Sequence, residues 1–342
     1  MPQAVEAMHA ELDAERDFLN DHKINTIYFG GGTPSLVAPS EIERLIEHSR
    51  RLFDCSEVEE ITIEVNPDDI TEEYVAELKR TSVNRISIGV QSLDDEVLRF
   101  MGRRHSAEQA QRAVAILQKG GYNNISVDVI FGVEPSSQES LAKTLQGVLA
   151  MGVQHISAYH LTIEGNSRFA RMLQRGEMRE CAEERSEAEF LQVHNALVEG
   201  GFEHYEVSNF AKEGCRSRHN SSYWRNVEYL GIGAGAHSYN GATRRWCEQD
   251  IAEYVKGVEY ESETLSDEER LNEMVMTSLR CAEGLSLGEV EKRFGAEQRL
   301  KIEQNAQPLL DGKTLSKSDN GRLFIEPEKL LLSDMVIAQL ML

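Results

Sequence analysis

Five short runs rich in β-branched residues, INTIYF (24–29), EITIEV (60–65), RISIGV (85–90), ISVDVIF (125–131) and HISAYH (155–160), are each followed by turn residues and a stretch of helical spacing. Alternation of strand-like and helix-like periodicity marks βα units, and a series of such units predicts a parallel sheet covered by helices. The helix starts fit this phase, because Ser106 with Gln109 and Ser136 with Glu139 have the spacing of reciprocal first-turn caps. The chain opens with a helix, over about residues 4–19, instead of a strand, which predicts an incomplete barrel with its first strand missing.

At 342 residues the chain exceeds one usual hydrophobic core, so a second unit is expected. The texture changes after about residue 260. Ser266 with Glu269 and Ser286 with Glu289 can cap two helices, Leu271, Met274, Val275 and Cys281 form an apolar stripe ending at Gly284, and Asp319-Asn320-Gly321 marks a hairpin. These features outline a small winged-helix-like domain and suggest a division into a barrel core, 1–240, and a C-terminal domain, 241–342.

Thirty-six Lys and Arg stand against 58 Asp and Glu, a net charge of −22 that repels polyphosphate and argues against nucleic acid as a general partner. No apolar run is long enough to cross a membrane and the first residues do not read as a signal peptide, so a cytoplasmic chain is expected. The 5 cysteines, Cys55, Cys181, Cys215, Cys247 and Cys281, are far apart and without a CxxC spacing, which reads as reduced thiols.

Strand ends in βα folds converge on one rim. Here they deliver Gly30-Gly31-Gly32-Thr33-Pro34, Glu64, Gln91, Asp128 and Tyr159-His160, and one shared ligand site is the economical reading. The glycines either admit a ligand against backbone N–H groups or make a tight turn. Glu64 and Asp128, in otherwise apolar strands, need either a structural partner or a ligand's ribose hydroxyls or ammonium. Arg103 either pairs with a ligand carboxylate or is solvated beside Arg104. A weaker possibility is a divalent metal held by Glu64, Asp128 and His160.

The segment Arg216-Ser217-Arg218-His219-Asn220-Ser221-Ser222-Tyr223-Trp224-Arg225 is a locally basic, aromatic patch in an acidic chain. Its arginines could hold tetrapyrrole propionates while Tyr223 and Trp224 stack and His219 ligates a metal, or the patch could be a surface loop packed on the barrel. The small, apolar run from Tyr229 to Ser238 suits a close approach of backbone to a flat ligand or to the barrel edge.

The ordered set YFGGGTPS, IEVNPDDIT, ISIGVQSLDDEVLRFMGRRH, SVDVIFGV, SAYHLTIE, YEVSNFA, HNSSYWR and YLGIGAGAHSY resembles the radical S-adenosylmethionine (SAM) enzymes of the oxygen-independent coproporphyrinogen III oxidase family, and more closely its haem-chaperone branch, HemW. The resemblance implies an incomplete (β/α)6 barrel with the family's C-terminal domain. It implies SAM binding by Gly31, Gly32, Thr33, Glu64, Gln91, Arg103 and Asp128, more loosely by Tyr159 and Ala236, and haem binding by His219, Asn220, Tyr223 and Trp224. It further implies a haem chaperone that serves a haem-accepting client protein, or alternatively an oxidative decarboxylase of coproporphyrinogen III.

Family members begin with a strand leading into CxxxCxxC, whose thiolates hold a 4Fe-4S cluster. That motif is absent here, and the sequence starts where the helix after it would start, so truncation and catalytic inactivity are expected. An exposed first-strand edge is expected as well, with lower stability or self-association as its consequence.

Overall fold

In the computed structural model, which describes residues 2–165 and 167–342, five strands run parallel. They are β1 (Thr26–Phe29), β2 (Glu60–Val65), β3 (Arg85–Gln91), β4 (Ile125–Phe131) and β5 (His155–His160). A hairpin of β6 (Glu203–Glu206) and β7 (Asn209–Ala211) extends them into a curled, seven-stranded half-barrel of order β1-β2-β3-β4-β5-β7-β6. The incomplete barrel is therefore present, with β1 at one margin and its backbone partners in β2. The first strand is shorter than the expected 24–29, and the hairpin was not expected, since its residues carry no β-branched run.

Every strand divides its side chains between two faces. Ile61, Ile63 and Val65, Ile86, Ile88 and Val90, and Ile125, Val127 and Val129 are buried on the convex face. There they pack in one core with residues such as Ile46 of α2 (Pro39–Leu52), Leu78 of α3 (Glu72–Leu78) and Leu117 of α5 (Ala107–Lys119). Each such fully buried side chain contributes about 1.5–3 kcal/mol, which makes this layer the main source of the barrel's stability. The remaining barrel helices are α4 (Asp95–Met101), α6 (Gln138–Ala150), α7 (Arg168–Gln174) and α8 (Glu183–Glu199). Ser106 and Gln109 form the expected reciprocal cap on α5. On α6 the cap is Ser137 instead of Ser136, because the turn closed by the Ser136 N–H on the Val133 carbonyl leaves Ser137 at the helix entrance, where it accepts from the Ser140 N–H at 3.1 Å.

The opening helix, α1 (Pro2–Glu15), is amphipathic in an unusual way: its buried residues include Glu11. The Glu11 carboxylate accepts hydrogen bonds from the Gly233 N–H at 2.8 Å and from the hydroxyls of Tyr254 and Tyr260, each at 2.5 Å. Three donors satisfy a charge that would otherwise be costly to bury, and they tie α1 to a segment more than two hundred residues away.

After α9 (Arg218–Trp224) the chain forms a second sheet from β8 (His237–Tyr239), β9 (Thr243–Trp246) and β10 (Glu261–Thr264), with α10 (Ile251–Tyr254) between the last two. The C-terminal unit contains α11 (Asp267–Leu279), α12 (Leu287–Phe294), α13 (Ala296–Asp311) and α14 (Ser333–Leu340) around a three-stranded sheet of β11 (Leu285–Ser286), β12 (Ser316–Lys317) and β13 (Arg322–Phe324). The expected caps are made by Ser266 and Ser286, and the hairpin turns through Asp319-Asn320-Gly321. Cys281 does not belong to the α11 stripe, because the helix stops at Leu279.

Candidate functional site

The concave face of the half-barrel is polar. Strand register brings Tyr28 beside Thr62, Glu64 beside Ser87, and Asp128 beside Ser157, all on the side away from the helices. Strands covered on both faces by apolar layers read as continuous apolar runs, so this period-two polarity identifies a lined lumen. Thr26, Tyr28, Ser87 and Ser157 are further lumen residues, which lie within the strands and not at their C-terminal ends. Alternation within each strand was the signal for them.

At the end of β1 the chain turns through Gly31 and Gly32 with φ of +70° and +66°, a left-handed conformation in which side chains are strained. Nothing lies within 4 Å of where their Cβ atoms would project, so the turn leaves open space in front of its backbone. Gly30 has no such space: a Cβ there would come 2.3 Å from the Tyr28 ring and 2.8 Å from Glu64 Oε1. The Glu64 carboxylate is gripped on both oxygens, by the Tyr28 hydroxyl at 2.6 Å and the Gly31 N–H at 3.0 Å. Burial, reinforced by Glu64, raises the Tyr28 phenol far above its usual range, so it stays a neutral donor. Thr33 follows at the entrance to a short 3-10 turn and makes no side-chain cap.

Asp128 is half-buried, and its carboxyl is pushed up to about 7. Burial is the chief cause and the Glu64 charge adds to it, while the hydroxyls of Ser157 and Ser87 oppose it. Ser87 Oγ lies 3.2 Å from Asp128 Oδ1. Arg103 stands just beyond α4, and the charges it feels are those of Asp128 and Asp68; neighbouring Arg104 instead pairs with Asp68 at 2.7 Å. Gln91 is buried with φ of +66°, at an irregularity in the β3–β4 ladder, and its side chain folds back over Gly89, where a Cβ would meet Nε2 at 2.7 Å. Tyr159 is 41% exposed, and its phenol is raised by burial first and then by Asp128. Glu64, Asp128, Arg103, Tyr159 and the glycine turn thus share one electrostatic environment, with Gln91 beside it.

The metal alternative fails on geometry. His160 lies on the opposite face of β5 from Asp128's partner Ser157, with Nε2 3.0 Å from Ser186 Oγ of α8 and its ring edge-on to Phe131. Among the described residues no group of three His, Cys, Asp or Glu could hold a metal ion. Ala236 is held by backbone bonds of its own loop: its N–H donates to the Gly233 carbonyl at 3.1 Å and its carbonyl accepts from the Cys247 N–H at 3.0 Å.

The other end of the lumen is closed by α9. Glu60, at the start of β2 and almost fully buried, accepts from the N–H groups of Arg218 at 2.9 Å and His219 at 3.0 Å, with Ser217 Oγ at 3.4 Å. A carboxylate on unsatisfied N–H groups at a helix start is favourable. It fixes α9 beside β1. The His219 imidazole then stacks on Tyr28, centroids 4.7 Å apart and planes 16° apart, with Nδ1 2.9 Å from Thr26 Oγ1 and Nε2 3.1 Å from the Tyr223 hydroxyl. Burial pushes this imidazole down to about 4, so it is neutral at pH 7.

The four residues of the aromatic patch do not share one surrounding. His219 faces β1, and Tyr223 meets the His219 ring edge-on at 5.1 Å and the Tyr229 ring edge-on at 4.8 Å. Trp224 instead lines a cavity of about 290 Å³ between α9 and the C-terminal unit, together with Cys281 and Met274. Asn220 is half-buried at the helix start, where its N–H donates to Ser217 Oγ at 3.2 Å. Of the arginines read as partners for propionates, Arg216 pairs with Glu203 and Glu283, and Arg218 with Glu59.

A polar-lined parallel half-barrel with a glycine turn at its rim and a helical C-terminal unit defines a class. Residues 7–148 match the Radical SAM superfamily and residues 265–332 match the HemN C-terminal domain. Coproporphyrinogen III oxidase (HemN) from Escherichia coli, described as a radical SAM enzyme, superposes with a TM-score of 0.80 over 99% of this chain and 83% of its own; at 19% identity this establishes the fold. The heme chaperone HemW of Lactococcus lactis subsp. lactis is 33% identical over 85% of this chain and 78% of its own. That of Bacillus subtilis is 32% identical over 80% and 74%, and that of Mycobacterium tuberculosis 31% over 94% and 83%. The chain belongs to the HemW family.

Membership of the radical SAM superfamily implies SAM and a 4Fe-4S cluster. The lumen residues fit the first: open space before Gly31 and Gly32, two carboxyls and an arginine match the polar groups of a nucleoside amino acid. They do not fit the second. The 5 free cysteines belong to separate parts of the fold and gather no three-thiolate set among the described residues.

Proposed function

We propose that this chain is a cytoplasmic haem chaperone that binds haem at His219, binds SAM in the lumen of its half-barrel, and passes haem to a client protein. The observation that carries the reading is His219 itself. Its imidazole is neutral, held from three sides and turned with one nitrogen toward a half-exposed tyrosine, and a neutral, oriented imidazole is what haem iron requires of an axial ligand. The family's name supports it, since the relatives from Lactococcus lactis and Mycobacterium tuberculosis carry the words heme chaperone.

For SAM, Gly31 and Gly32 offer backbone to the aminoacyl group with Thr33 adjoining. Glu64 and Asp128 accept from its ammonium or ribose hydroxyls, Arg103 pairs with its carboxylate, and Gln91 supplies a neutral donor and acceptor at the rim. Tyr159 and Ala236 are outer members of that set. SAM brings a sulfonium cation and an amino-acid zwitterion to be neutralised. Haem is taken by His219, with Tyr223, Trp224 and Asn220 as the surrounding surface.

Haemin titration tests the first half. A Soret shift that weakens at least tenfold in His219→Ala is expected, and an unchanged spectrum would retire His219 as ligand. Calorimetric SAM binding, lost in Glu64→Gln, tests the second. Oxidation of coproporphyrinogen III is the other reading, favoured by the structural likeness to the oxidase; turnover of that substrate would move the function to it.

A further inference from the structure

His219 presents its two nitrogens to unlike surroundings. Nδ1 points into the sheet margin and meets Thr26 Oγ1 in a half-buried contact, whereas Nε2 points outward to the hydroxyl of Tyr223, a residue that is 42% exposed. Nε2 therefore lies on the more exposed side of the imidazole and Nδ1 on the more buried one. The Tyr28 ring covers one face of the imidazole, and its own hydroxyl is anchored on Glu64, so the ring has little freedom to turn over and exchange its nitrogens.

We propose that Thr26 is the positioning residue of the haem site: its Oγ1 accepts from the Nδ1–H of His219, fixing the tautomer whose Nε2 lone pair is the iron ligand, with the Tyr223 hydroxyl as the group that leaves when iron arrives. This inference rests on the haem-binding reading of His219. Before binding, the Tyr223 O–H donates to Nε2; on binding, that hydrogen bond breaks and the same lone pair forms the coordinate bond to iron. No proton is lost and nothing is oxidised or reduced. The Nδ1–H keeps its acceptor throughout, as ligating histidines in general keep theirs, and loss of such an outer partner typically weakens metal affinity by about 10–100-fold. Thr26 and His219 are 193 residues apart in sequence, and Glu60, by holding the N-terminus of α9, sets the distance between them.

Haemin titrations and stopped-flow association on the full chain, with electron paramagnetic resonance of the ferric complex, test this. Thr26→Val, which keeps the shape and removes the acceptor, is expected to weaken haemin by about tenfold or more and to alter the axial-ligand signature. Thr26→Ser is expected to restore both, which a purely structural role for the threonine methyl would not do. Tyr223→Phe is expected to accelerate association, because no hydroxyl has to leave. Wild-type affinity and spectrum in Thr26→Val, or a Tyr223→Phe variant as weak as His219→Ala, would overturn the assignment while leaving His219 as ligand. An unchanged titration in His219→Ala would overturn the haem reading and this inference together.

Discussion

The hydroxyl of Tyr28 donates to Oε1 of Glu64 over 2.6 Å, and on its other side the same ring lies flat on the imidazole of His219. One side chain on β1 therefore touches both the lumen carboxylate proposed for SAM and the histidine proposed for haem.

Removal of the hydroxyl alone leaves Glu64 with one donor fewer in a half-buried position. Hydrogen bonds to charged groups contribute about 1.5–3 kcal/mol, so Tyr28→Phe is expected to lower unfolding stability by an amount in that range. Tyr28→Ala is expected to cost more and, by uncovering the imidazole, to weaken haemin as well. Urea denaturation together with haemin titration separates the two; equal stability of wild type and Tyr28→Phe would show that the bond contributes nothing.

Gly30 is packed on both sides by this pair, so Gly30→Ala drives a methyl into the Tyr28 ring and Glu64. Overpacking of that kind costs about 1–3 kcal/mol, and here it also separates phenol from carboxylate. A lowered melting temperature with loss of SAM binding is the expected result. Gly89→Ala makes a contrast, since the atom it would meet is the end of the flexible Gln91 side chain, which can swing aside.

Asp128 titrates near 7 in the folded chain against an ordinary value of 3.8, so the folded state holds its proton more tightly than the unfolded state does. The stability linked to that proton is complete below about pH 4 and is lost as pH rises toward 7. Asp128→Asn has no such proton. Thermal melts from pH 4 to 8 are therefore expected to show wild type losing ground to Asp128→Asn with rising pH across this window; a constant difference would mean that Asp128 is not perturbed.

Glu60→Gln replaces a carboxylate that serves the start of α9 with an amide whose NH2 faces other donors. Charge near a helix N-terminus contributes about 0.3–1 kcal/mol, and up to ~2 kcal/mol when partly buried, so a stability loss of that order is expected. Haemin affinity should fall with it, because the His219 N–H is one of the groups Glu60 holds. Unchanged haemin binding would separate the position of α9 from haem capture.

The strands of the barrel were legible because their β-branched runs and flanking turns are local signals, and β2, β4 and β5 begin and end where those runs do. The hairpin β6–β7 was not, because its residues, EHYE and NFA, gain their strand conformation from pairing with β5 and with each other. Grouping at the rim was readable for Glu64 and Asp128, since a carboxylate inside an apolar strand signals a lumen or a partner. His160 misled for the same periodic reason, being one residue out of phase with Tyr159.

The aromatic patch shows the limit most clearly. Helical spacing alone puts Tyr223 four residues from His219 on one side of α9 and turns Trp224, five residues on, well around the axis. That much is written in the sequence. Which surface each side would meet is not, because Thr26 and His219 are 193 positions apart and Tyr28 and Glu64 are 36. Local periodicity determined the alternating faces of the strands and helices. The closure of the half-barrel by α9 decided which polar groups meet across it, since a contact between remote segments depends on the packing of everything between them.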